Sequence, residues 1–104
     1  MKIMLSQPMG GRTENEINKE REELIKLFAE KGIAVADTLF DDFVPDYINA
    51  GVYFLGKSIM ALARVDALFM CDGWENARGC RIEKEIAEEY GVKILYSDFL
   101  YSEV

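Results

Sequence analysis

The sequence predicts one small α/β domain, an open sandwich in which a parallel sheet of four strands alternates with three helices, Rossmann-like or flavodoxin-like in kind. Three observations carry the prediction. Apolar runs of strand length alternate along the chain with longer segments of helical period. Two of those helical segments stop at a glycine, Gly32 and Gly91, that leads directly into the next apolar run. The length, 104 residues, gives one core and no room for a second, so residues 1–104 are read as a single domain.

Residues 2–6 form the first strand and run into the loop Gln7-Pro8-Met9-Gly10-Gly11. Thr13 followed by Glu16 is a capping box, and Ile17, Leu24, Leu27 and Phe28 then recur at helical spacing up to Gly32. The apolar run 33–37 is the second strand; a strand–helix–strand unit normally pairs in parallel through a right-handed crossover. Residues 38–51, with Asp41-Asp42 and Pro45-Asp46, carry no readable period beyond loop with one helical turn. Residues 52–65 space Tyr53, Leu55, Ile59, Met60 and Leu62 as a second helix, 67–71 are a third strand ending at Asp72-Gly73, 79–90 a third helix, and 92–96 a fourth strand.

Half of the residues are hydrophobic and 30% charged, the balance of a folded domain. Nineteen acidic against twelve basic residues leave a charge of −7 with no basic patch, which argues against DNA or RNA as partner. A small phosphorylated ligand stays compatible, since a helix N-terminus with one or two arginines holds a phosphate whatever the net charge. There is no histidine, and Cys71 and Cys80 have no metal-type spacing, so neither a metal nor another cofactor is expected. The apolar N-terminus is too short for a signal peptide and no apolar stretch reaches the ~20 residues of a membrane span, so a cytoplasmic protein without a membrane partner is expected.

In open α/β sheets ligands bind beyond the carboxyl ends of the strands, which selects two loops. The first holds Gln7, Pro8, Met9, Gly10 and Gly11 ahead of a helix N-terminus, and reads equally as an anion-binding loop and as a plain turn. The second holds Asp72, Gly73, Trp74, Arg78 and Gly79, an aromatic face and a cation where a base and a phosphate would be met. Packing of Trp74 over the sheet edge, and solvation of Arg78 and Arg81, are the competing readings. Glu83 gives the sharpest signal. Ile82, Ile86, Ala87 and Tyr90 set the apolar arc of the third helix, and Glu83 falls inside that arc, in the first turn, while Arg81, Lys84, Glu85, Glu88 and Glu89 fall outside it. A carboxylate on a buried face is either a structural group favoured by the helix N-terminus or a catalytic one held in a cleft.

The segments 1–11 and 55–96 resemble the nucleoside 2-deoxyribosyltransferase-like superfamily, especially its small bacterial and phage branch DUF4406. The likeness rests on the first strand running into Ser6-Gln7-Pro8-Met9-Gly10-Gly11, on residues 65–74, and more specifically on Ala77-Arg78-Gly79-Cys80-Arg81-Ile82-Glu83. The resemblance implies that Glu83 is a nucleophile on the anomeric carbon of a small nucleoside or nucleotide, in a retaining transferase or N-glycoside hydrolase. It also implies a homodimer or larger homo-oligomer. Three positions depart from the pattern: Met4 where a tyrosine near the nucleophile is common, Ser58 where a sugar-binding aspartate is common, and Ala77 where transferases carry aspartate and nucleotide hydrolases serine. Sugar specificity and phosphate recognition therefore do not carry over. Two functional classes follow, an enzyme of the N-glycosidic bond and a non-catalytic nucleotide-binding domain of the same fold, with an interaction module as a third.

Overall fold

In a computed structural model, which describes residues 1–101, the chain runs β1 (Lys2–Ser6), α1 (Glu14–Glu30), β2 (Ala34–Val35), α2 (Ala50–Leu62), β3 (Ala67–Met70), α3 (Arg78–Glu89) and β4 (Lys93–Leu95). Short 3-10 turns stand at Trp74–Asn76 and Ser97–Tyr101. All four strands are parallel, in the order β2-β1-β3-β4, which makes this a small Rossmann-like or flavodoxin-like domain.

Local chemistry fixes the element ends. Thr13 Oγ1 accepts the Glu16 N–H at 3.1 Å and opens α1. Gly32, with φ +74°, closes it by turning the chain so that the Ile33 N–H returns to the Phe28 carbonyl. The expected second strand, 33–37, contracts to Ala34–Val35, although its hydrogen bonding to β1 reaches from Ala34 to Ala36. The second helix starts two residues before the expected 52–65 and ends three before it, because Asn49 Oδ1 caps the Val52 N–H.

The sheet buries both faces, as parallel sheets do. Ile3, Leu5, Phe69, Cys71 and Leu95 pack against Leu24 and Phe28 of α1, where the Phe28 ring meets Phe69 edge-on at 5.0 Å. Met4, Leu68 and Met70 pack against Leu62 of α2 and Cys80 and Ala87 of α3. The α1 arc differs from its expected form: Leu27 is exposed, and Arg21, one turn from Ile17 and Leu24, is buried in its place. Among the described residues no helix is long and apolar enough to cross a membrane.

Candidate functional site

The chain leaves β1 toward β2 on one side and β3 toward β4 on the other, so the sheet opens a crevice beyond Ser6 and its register partner Met70. A cavity of about 710 Å³ occupies that position. Its walls are the loop after β1 (Gln7, Pro8, Met9, Gly10), the segment after β2 (Thr38, Leu39, Phe40), the inner side of α2 (Phe54, Leu55, Ser58) and the first two turns of α3.

Glu83 stands on that wall as the sixth residue of α3, one turn deeper than its expected place in the first turn. Cys80, Glu83 and Ala87 form the buried line of the helix, whereas Tyr90, expected in the apolar arc, is exposed. The carboxylate is only 7% exposed and accepts a 2.7 Å hydrogen bond from Ser6 Oγ. Burial pushes its pKa above the usual glutamate value, and the hydroxyls of Ser6 and Ser58 pull it part of the way back. Burial also raises the thiol pKa of the neighbouring Cys80, and the Ser6 hydroxyl opposes that rise.

Strand parity puts Ser6 there. Met4 and Ser6 share one face of β1, the face that α2 and α3 cover, and Ser6 is where that face stops being apolar. Gln7 serves the opposite side: its Nε2 donates to the Ile17 carbonyl and to Glu20, both at 2.9 Å. Arg12 adds bonds to the Pro8 carbonyl and Glu20, so the loop after β1 is tied down onto α1. Behind Thr38, Arg21 Nη2 donates to Thr38 Oγ1 and the Ala36 carbonyl, with burial lowering the guanidinium pKa. Among the described residues Arg21 Nη1 and Gln7 Oε1 have no hydrogen-bond partner.

At the other end Ala77 supplies no side-chain cap for α3, so the first-turn N–H groups are without a capping side chain where the exposed Arg78 and Gly79 line the crevice. Gly73, at φ +88°, turns the chain into the 3-10 turn that precedes α3, and a Cβ there would lie 3.7 Å from Pro8, so the two loops stand side by side. The structure therefore gathers Gln7, Pro8, Met9, Gly10, Gly73, Arg78, Gly79 and Glu83 around one cavity. Gly11, Asp72 and Trp74 do not line it. The half-buried indole packs beside Tyr96, at 6.0 Å between ring centroids, with Lys84 Nζ 5.3 Å above it.

The aromatic rings on the cavity are Phe40 and Phe54. Lys57 lies 4.8 Å over Phe40 and, with the Tyr53 hydroxyl, donates to Asp42 at 2.7 Å, which fastens the irregular segment 36–49 to α2. Phe54 escaped the sequence reading because an apolar residue at helical spacing looks like core, and Phe40 because residues 38–51 carry no readable period; the signal available was Asp42 with Tyr53 and Lys57 at matching helical positions.

The fold and site define a small parallel α/β domain with, among the described residues, a single buried carboxylate, at the switch point of its sheet. A family described as a domain of unknown function, DUF4406, matches residues 1–96, and the chain belongs to that family. No curated protein and no solved structure gives a significant match.

Proposed function

We propose that this chain cleaves or exchanges the N-glycosidic bond of a small nucleoside or nucleotide, in the manner of the nucleoside 2-deoxyribosyltransferase-like enzymes its motifs resemble, with Glu83 as nucleophile. One observation carries the reading: among the described residues Glu83 is the sole carboxylate on the cavity wall, and it is buried there without an ion-pair partner. A structural carboxylate so placed is normally neutralised by a cation, whereas a nucleophile keeps its lone pairs for the reacting carbon.

The remaining wall fits the parts of such a substrate. Phe40, Phe54, Leu39 and Leu55 offer an apolar slot for a base, and the uncapped start of α3 with Arg78 offers donors for an anionic substituent. Attack by Glu83 on C1′ breaks the bond to the base and forms a glycosyl ester, which a second base or a water then resolves with net retention. The hydroxyls of Ser6 and Ser58 hold and orient the carboxylate for that attack.

The test is base release over a panel of nucleosides and monophosphates. Glu83→Ala should lower the rate by more than about 10³-fold while ligand affinity persists, the pattern of a group acting on the reacting carbon alone. Glu85→Ala, on the solvated face, should be neutral. Binding without any release, in wild type as in Glu83→Ala, would make this a nucleotide-binding domain instead.

The same reading includes a homodimer. The one charged side chain of α2, Lys57, is engaged with Asp42, and Val52, Gly56 and Met60 expose an uncharged stripe at helical spacing. For two chains of charge −7 this is a face on which they can meet without opposing acids. A two-fold axis through Gly56 would let the helices approach closely, because a Cβ there would meet no neighbouring atom within 4 Å.

A further inference from the structure

Among the described residues the cavity wall carries three ionisable side chains, Glu83, Arg78 and Cys80. The chain holds no histidine. Asp42 is engaged by Lys57 and Tyr53, and Glu20 by Gln7 and Arg12; neither lines the cavity.

That inventory bears on the leaving group. When a neutral nucleobase leaves C1′ it takes the bonding pair onto its ring nitrogen and becomes an anion unless an acid protonates it, which is why glycosidic enzymes usually pair a second carboxyl group with the first. No second carboxyl group stands on the cavity wall among the described residues. The buried Cys80 thiol is a weaker acid than a free one, and the hydroxyls of Ser6, Thr38 and Ser58 are not carboxyl-strength donors. Glu83 cannot attack carbon and deliver a proton in one step.

Resting on the assignment of Glu83 as nucleophile, we infer that the preferred substrate is an N-glycoside whose leaving ring is already cationic, such as a ribosyl pyridinium or an N-alkylated purine nucleoside or nucleotide. Such a ring needs no acid. Glu83 Oε bonds to C1′ as the C1′–N bond breaks, the bonding pair moves onto the ring nitrogen and cancels its positive charge, and the base leaves neutral. A water oxygen then bonds to C1′, the Glu83 carboxylate departs, and one proton passes to solvent. The sum is cationic glycoside plus water giving neutral base, free sugar and a proton.

Two further features suit a cationic ring. The Glu83 carboxylate has no cation paired to it among the described residues, so a charged substrate supplies the partner that the fold omits. Phe54 presents an aromatic ring to the same cavity, and no cation lies over it among the described residues, whereas Phe40 already carries Lys57.

The experiment measures free base released by the full chain from nicotinamide riboside, nicotinamide mononucleotide and 7-methylguanosine, beside guanosine, inosine, uridine, thymidine and their 5′-monophosphates. Wild type and Glu83→Gln are run in parallel. The pair 7-methylguanosine and guanosine isolates ring charge from base identity. The expected result is a kcat/KM for the cationic members about 10²–10⁴-fold above the neutral ones, the usual worth of the missing general acid, and its loss in Glu83→Gln. Neutral nucleosides cleaved as fast as cationic ones, with Glu83→Gln inactive, would overturn the substrate inference and leave the nucleophile standing. Release that survives in Glu83→Gln, or none from any member of the panel, would overturn both.

Discussion

Ser6→Ala removes the hydroxyl that donates 2.7 Å to Glu83 and leaves a methyl in its place, on a strand end that is otherwise apolar on this face. A hydrogen bond to a charged group contributes about 1.5–3 kcal/mol, and both partners are almost wholly out of solvent, so little screening reduces it. For a domain of this size that loss corresponds to a fall in Tm of roughly 6–20 °C. The pH dependence separates a charge-holding role from simple packing. Burial raises the Glu83 pKa and Ser6 opposes it, so in the variant the folded-state pKa rises further. A carboxyl group with a raised folded-state pKa gives its full stability below the unfolded value and loses it as pH climbs through the folded value. The difference between wild type and variant is therefore small near the ordinary carboxylate range and grows as pH rises above it. Urea denaturation of both proteins from about pH 4 to about pH 8 measures this. A stability difference that is the same at every pH would show that Ser6 only fills space and would refute the argument.

The same sign applies to Glu83→Gln, which keeps an acceptor for Ser6 and removes the buried charge. It should melt above wild type at neutral pH, with the gain shrinking toward acid, as differential scanning calorimetry would record. Phe54→Ala should weaken nucleoside binding by roughly 1–3 kcal/mol, the scale of base–aromatic stacking, in a calorimetric titration. Trp74→Ala should instead lower Tm and leave affinity unchanged, and the wild-type indole, packed between Tyr96 and Lys84, should emit blue-shifted light that nucleosides do not quench. Met60→Glu, which sets a charge on the bare face of α2, should yield a monomer by light scattering where wild type gives a dimer.

The alternation of strands and helices was legible because parallel strands buried on both faces read as unbroken apolar runs, and because Thr13, Gly32 and Gly91 punctuate the helices between them. Glu83 was legible for a related reason: a single acid inside the arc of Ile82, Ile86 and Ala87 breaks the wheel. What a wheel cannot give is which residues of different elements meet. Ser6 is one hydroxyl at a strand end until α3 lays Glu83 across it, and Arg21 looks like one more charge on an acidic helix until β2 covers it. Trp74 misled because the loop containing it does reach the crevice, through Gly73 and Arg78, while the indole itself packs beside Tyr96.

The cavity is built from parts of unequal persistence. Its floor is the end of β1 and β3, hydrogen-bonded on both sides and buried to within a few per cent, which places it among the last regions of the molecule to open. Its roof is the segment 36–49, with no strand or helix of its own, held at its start where Arg21 bonds Ala36 and Thr38 and in its middle where Asp42 meets Tyr53 and Lys57. Local opening then costs less in the roof than in the strands beneath it, and amide exchange in segment 36–49 should outpace exchange in β1 and β3. Glu83, carried on α3 and hydrogen-bonded to the end of β1, belongs to the more persistent part.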